Sequence, residues 1–294
     1  MKGDVSPPGP AGLPVDFRRM TQDDVPAALA LCRASGWNQT AADWGLLLEV
    51  GGDGCHVAVM GNRVVGTATA VDYEARFAWI GMVLVDANSR GRGIGSALTR
   101  DALDRLGDVP ARLDATPKGY PLYLKLGFVE ECRLRRMTNT SWSAAVAHAA
   151  GEARRMRRED LDAVAEWDRW VFGADRRRIL DWALEAAPDL AFVVERGTSL
   201  RGYCLGRRGH LFRQIGPVVA DDLETARQLV EACRRRVSDL PMVIDVPSVQ
   251  ERWSEHLAAV GFAEQRPFIR MCRGANLHPG RPEPQLAIFG PEWG

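Results

Sequence analysis

Apolar and polar positions along this 294-residue chain fall into short alternating runs and longer helical stripes, taken in turn. Val15 to Met20 predicts a strand, Asp23 to Ser35 a helix opened by acidic residues, and Ala41 to Val50 a second helix. Cys55 to Met60 and Val64 to Val71 predict a hairpin around the turn "GNR", and Ala78 to Val85 a long buried strand. A helix over Gly93 to Leu106, a strand at Ala111 to Ala115, a short helix around Tyr120 to Leu126 and a strand from Phe128 to Met137 complete the series. The fold class is therefore α/β, a mixed and mostly antiparallel sheet flanked by helices.

The pattern then returns, from Ala153 to Met271. "RRMTQDDVPAALAL" from Arg18 matches "RRMRREDLDAVAEW" from Arg154, "IGMVLVDA" from Ile80 matches "IGPVVADD" from Ile215, and "LGFVEECRLRRM" from Leu126 matches "VGFAEQRPFIRM" from Val260. Three matches in one order, at an offset of about 135 residues, predict two copies of one fold. The division expected is a leader over 1–14, a first domain over 15–142 and a second over 153–294, with the boundary in the alanine-rich stretch from Ser141 to Ala153. The closing "QLAIFGPEWG" is too apolar for a free tail and is expected to dock on a sheet.

Charge adds an exclusion. Thirty-eight Lys and Arg balance 38 Asp and Glu, so no global field favours nucleic acid or an anionic membrane as partner. The six cysteines stand singly, without the close spacing of metal or redox motifs, so no metal is expected. The chain shows no apolar run of membrane-spanning length and no signal-peptide core at its start, and the expected location is cytoplasmic. Oligomeric state is not set by these features.

The candidate chemistry lies in "NSRGRGIGSAL", Asn88 to Leu98, between a buried strand and a helix. Glycines there let backbone N–H groups converge on an anion at the positive end of the helix dipole. Leu98 stands where a dinucleotide fingerprint needs glycine, and no Gly-Lys-Ser/Thr follows for a P-loop. The pattern left, Arg90-x-x-Gly93-x-Gly95, together with the later "PLYLKLGF", resembles the GNAT family of acyl-CoA-dependent N-acetyltransferases. That resemblance implies acetyl-CoA as cosubstrate and direct transfer to a primary amine of a small molecule in a ternary complex. It implies that Arg90, Gly91, Arg92, Gly93, Ile94, Gly95 and Ser96 hold the pyrophosphate. Val83, Leu84 and Val85 would pair with the pantetheine arm, and Tyr123 would sit near the sulfur as proton donor.

The base is not legible. The strand "AWIGMVLV" has no carboxylate, leaving Asp72, Glu74 or a water relay; Thr116 also departs from the asparagine many members carry. For the acceptor, Trp37, Asn38 and Trp44 are candidates to line the groove, with Tyr73 and Trp79 nearby, and Trp167, Trp170, Asp175, Arg176 or Asp245 from the second copy; the arginines of "ADRRRILDW" read either as partners of an acceptor carboxylate or, more commonly for such a run, as a solvated helix face. That copy has Thr225, Gln228 and Val230 opposite Arg90, Gly93 and Gly95, and Leu257 opposite Tyr123. The reading is a tandem arrangement with an active N-terminal domain and a degenerate C-terminal one that shapes the acceptor site. The alternative is a non-catalytic acyl-CoA-binding sensor or interaction module. His56 and His210 read as structural.

Overall fold

The computed structural model describes residues 14–139, 152–236 and 240–294; the leader up to residue 13 and most of the expected boundary stretch lie outside them. The first copy runs β1 (Asp16–Arg19), α1 (Val25–Ala34), α2 (Ala41–Gly51), β2 (His56–Met60), β3 (Arg63–Tyr73), β4 (Phe77–Val85), α3 (Ile94–Leu106), β5 (Ala111–Ala115), α4 (Tyr120–Lys125) and β6 (Val129–Asn139). The second repeats it as β7 (Arg154–Arg155), α5 (Leu161–Phe172), α6 (Arg177–Ala186), β8 (Phe192–Arg196), β9 (Ser199–Arg208), β10 (Arg213–Ala220), α7 (Leu223–Arg234), β11 (Met242–Pro247), α8 (Glu251–Ala259) and β12 (Ala263–Arg273). One strand has no counterpart in the first copy, β13 (Gln285–Ala287).

The two copies share one sheet, in the order β1-β2-β3-β4-β5-β12-β6-β11-β10-β9-β8-β7. Their last strands are exchanged: β12 pairs with β5 of the first copy, while β6 pairs with β11 of the second. Buried ion pairs follow the exchange. Arg270 on β12 is bidentate to Asp114 on β5, both bonds 2.9 Å, and Arg136 on β6 is bidentate to Asp245 on β11, both 2.7 Å. Since an unpaired charge in the interior is costly, these pairs favour this strand order over others. The sequence division at residues 142 and 153 is thus crossed by the sheet, each half completed by the other's final strand.

The largest core cluster is also shared. Trp44 and Leu47 of α2, Leu161 and Val164 of α5, and Ile179 and Leu180 of α6 pack together with Phe289 and Trp293 from the end of the chain. Local signals start and stop the elements that matter for the site. Thr40 and Asp43 form a capping box at the head of α2, and Gly107, at φ 59°, closes α3.

β4 and β5 are parallel neighbours only at Ala78 with Ala111 and Trp79 with Arg112, after which they splay apart. On its other edge β4 carries a bulge against β3 between Thr67 and Thr69, and Met82 there has φ 50°, a left-handed conformation that a residue with Cβ adopts at a cost. β10 and β11 splay in the same way after Ile215 and Ile244. In the second copy, however, the gap is filled: β13 pairs with β10 at Val218 and Val219, and the Ile288 N–H donates to the Asp245 carbonyl on β11 at 3.0 Å. The expected docking of the closing segment on a sheet is what the structure has.

Candidate active site

A cavity of about 680 Å³ opens in the splay between β4 and β5. One end is formed by Val83 and Val85, half-exposed on β4, with Arg90 and Gly95 beyond them. Gly91 and Gly93 have φ of 77° and 78°, and an added Cβ at either would meet nothing within 4 Å, so the backbone lies open toward solvent. The first N–H groups of the 13-residue α3 have no partner within the helix by its geometry. A Cβ on Gly95 would fall 3.5 Å from Val85 and 3.8 Å from Leu122, narrowing the slot between β4 and α4. An open glycine loop, free helix-end donors and a strand edge released from pairing fit a phosphate-bearing, extended donor such as CoA. Arg90 donates its Nε to the Val85 carbonyl at 3.1 Å, which ties the loop to the strand.

Tyr123 lines the middle of the cavity from α4 and packs edge-on against Phe128. Burial pushes its hydroxyl well above the usual tyrosine range, so it stays protonated at any working pH. Thr116 caps the turn before α4, its hydroxyl accepting from the Gly119 N–H at 3.2 Å, and it also lines the cavity.

The opposite wall comes largely from the second half of the chain. Arg266 and Phe268 arrive on the exchanged β12, and Pro291 and Glu292 on the segment after β13. That segment is pinned where it passes β4: Trp79 donates Nε1 to the Pro291 carbonyl, Tyr73 its hydroxyl to the Trp293 carbonyl, each at 2.9 Å, and Arg176 donates to the Gly294 carbonyl at 2.8 Å. Glu292 is 3% exposed, and its Oε1 accepts from Arg207 Nη2 at 2.5 Å and Gln39 Nε2 at 2.8 Å. Its Oε2 has no hydrogen-bond partner among the described residues. The carboxylate that β4 lacks in sequence is therefore present in space, delivered from more than 200 residues downstream. No spacing or motif near the loop points to it; only the apolar character of the closing segment hints that it docks.

The other sequence candidates divide. Trp37 and Asn38 line the cavity, but the Asn38 side chain is consumed in binding the backbone of Leu211 and Phe212. Trp79 is fully buried beneath the closing segment. Asp72, Tyr73 and Glu74 line a separate depression against α6. There Asp72 caps a turn at the Ala75 N–H, and Glu74 pairs with Arg169 and Arg76. Asp245 stands behind Arg136, which does reach the cavity. Among the arginines of "ADRRRILDW", Arg176 is buried on Asp168, Arg177 pairs with Asp162 and Asp181, and Arg178 with Glu49.

At the corresponding place in the second copy, the N-terminus of α7 is capped by Asp222, which accepts from the Thr225 N–H at 2.7 Å, with Glu224 in the first turn. Among the described residues no group of three or more His, Cys, Asp or Glu side chains is placed to hold a metal, and no helix is long and apolar enough to cross a membrane. All six cysteines are free thiols, and burial pushes Cys32 and Cys55 up to about 12.

Models of the acetyltransferase (GNAT) domain match the chain twice, over residues 51–130 and 164–287. The chain is 25% identical over 250 residues to the uncharacterized N-acetyltransferase YitH of Bacillus subtilis, covering 83% of this chain and 86% of that one. It is 24% identical over 243 residues to the holothin acyltransferase of a Pseudoalteromonas species, covering 82% of each. A Pyrococcus horikoshii protein assigned to the acetyltransferases has a crystal structure that superposes with a TM-score of 0.81 at 25% identity, over 95% of this chain and 96% of that one.

Proposed function

With two GNAT domains in tandem as the premise, we propose that this chain is an acetyl-CoA-dependent N-acetyltransferase acting on a primary amine of a small molecule. The first domain holds the donor and the second shapes the acceptor side. One observation carries the reading: a single cavity joins the open loop and splayed strand, at Val83, Val85, Arg90 and Gly95, to a protonated tyrosine and a buried carboxylate. Support for a small acceptor comes from Arg266, Phe268 and Glu292, which line that cavity on the side where a protein lysine would need an unobstructed groove. The holothin acyltransferase among the relatives supports acyl transfer as the chemistry.

CoA supplies the acyl group as a thioester. The Gly91 to Ser96 backbone, with Arg90 and Arg92, binds the phosphates; the free edge of β4 at Val83 to Val85 aligns the arm and offers N–H groups to the carbonyl oxygen. Glu292 takes a proton from the acceptor ammonium, freeing the nitrogen lone pair to form the C–N bond. Tyr123 gives its proton to the departing sulfur as the C–S bond breaks and regains one from the nitrogen of the new amide. With Arg207 and Gln39 both holding Oε1, Glu292 keeps one orientation.

The second domain is the degenerate one in this reading. Asp222 and Glu224 put negative charge where phosphate would bind, and β13 occupies the strand edge that in the first domain stays free for the donor. Glu292 also brings a carboxylate beside β4, which supports catalysis over the alternative of a non-catalytic sensor.

Release of free thiol from acetyl-CoA in the presence of amines, amino acids and aminoglycosides tests the reading. Acceptor-dependent release is expected; tight CoA binding with no release across that panel would overturn it in favour of the sensor.

A further inference from the structure

The inner cavity wall carries charges that do not all cancel. Asp114 is neutralised by Arg270, and Arg136 by Asp245, which also accepts from Gln214 Nε2 at 3.0 Å. Arg207 alone serves two buried carboxylates, Asp43 at 2.9 Å and Glu292 at 2.5 Å, leaving an excess of one negative charge. The second unbalanced charge is Arg266 of β12. Its guanidinium lies over the Phe268 ring at 5.0 Å, its Nε is buried without a hydrogen-bond partner, and no carboxylate pairs with it among the described residues. Arg136 lies over the same ring at 4.9 Å. Burial and the nearby Arg136 pull the Arg266 pKa down to about 10, still well into the charged range at neutral pH.

A half-buried cation held without a counterion on an aromatic floor is unfavourable alone and favourable once an anion arrives. Its guanidinium offers the planar fork that carboxylates fit. The cavity thus presents surplus negative charge at Glu292 and surplus positive charge at Arg266, both on its lining. We propose that the acceptor is an amine bearing its own carboxylate, of the amino-acid class, with the ammonium at Glu292 and the carboxylate on Arg266. This rests on the acyltransferase reading and narrows its acceptor. The donor phosphates are not the anion in question, because their loop lies at the Val85 and Gly95 end of the cavity, while Arg266 belongs to the wall formed by β12 and the closing segment.

The test is calorimetric titration of the full chain, with CoA present, by each of the twenty α-amino acids, repeated with the amide and the decarboxylated amine of any that binds. Binding by at least one amino acid is expected, with its amide weaker by roughly ten- to hundredfold. Arg266→Met should remove that difference and leave CoA affinity in place, and Arg266→Lys should keep part of it. Failure of every amino acid to bind, equal binding of acid and amide, or an unchanged difference in Arg266→Met would each overturn the proposal. Turnover separates it from the reading beneath it. Transfer to neutral amines with no preference for carboxylates would sink this inference and leave acyl transfer standing. Arg266-dependent amino-acid binding without transfer to any acceptor would sustain the inference and sink the enzyme reading.

Discussion

The Cα of Glu292 lies 3.1 Å from the point where a side chain on Gly81 would begin, so the closing segment rests directly on the bulge of β4. Only glycine at 81 lets the two backbones come this close. Gly81→Val is expected to lift the segment, lowering kcat by at least about tenfold while the KM for acetyl-CoA stays within about twofold. Steady-state kinetics in both substrates will decide; equal losses in both parameters would place Gly81 in the donor site instead.

Glu292→Gln removes the proposed base but keeps a group that hydrogen-bonds Arg207 and Gln39. The expected result is a fall in kcat of about 10²- to 10⁴-fold with CoA affinity retained. A variant with more than a tenth of the parent rate would return the base to a water relay.

Tyr123→Phe tests the acid. Because burial raises the hydroxyl pKa, the parent enzyme should show no alkaline loss of kcat assignable to this residue below about pH 10. The variant should lose about 10²-fold in kcat with unchanged donor binding. Unchanged turnover would make Tyr123 a packing residue against Phe128.

Donor stoichiometry addresses the division of labour. Titration should find one CoA per chain, and Gly93→Glu should abolish it, since the open space beside Gly93 is then filled by a carboxylate at a helix N-terminus meant for phosphate. A second binding event, or one surviving in Gly93→Glu, would mean that β13 yields its place on β10.

Stability offers a further check on the exchanged strands. Asp245→Asn leaves Arg136 charged and buried without its carboxylate, and should cost about 3–5 kcal/mol in urea unfolding. His56 gives the fold a pH dependence. Burial lowers its pKa below the unfolded value of about 6.5, so the unfolded chain takes up the proton first and stability falls as pH drops through that value. His56→Gln should flatten the profile there.

Much of this was legible in the sequence, for local reasons. Strand and helix periodicity depends on near neighbours, so residues 15–137 were laid out with few errors, and the loop from Arg90 to Ser96 announces itself by spacing. The repeat was visible because both copies keep the same buried positions. What stayed hidden depends on non-local pairing. Nothing in β12 distinguishes pairing with β5 from pairing with β11, because both are short, largely buried strands that offer an arginine one aspartate each, Asp114 and Asp245. Tyr73 and Trp79 read in sequence as acceptor residues because aromatics near a cleft suit a ligand, yet their polar tips hold the backbone of Trp293 and Pro291. Glu292 is not legible there because its proximity to Gly81 is a property of the folded chain alone.

The exchange of β6 and β12 also sets a timetable. As the chain leaves the ribosome, β5 must wait for a neighbour some 150 residues further on, and pairings of such long range form late and slowly. The phosphate loop can form early from its own strand and helix. The wall bearing Arg266 and the carboxylate of Glu292 arrive only after the entire second domain has been synthesised. On the proposed function, a nascent chain would hold a donor loop before it has an acceptor pocket, and transfer to a chance amine would wait for the finished fold.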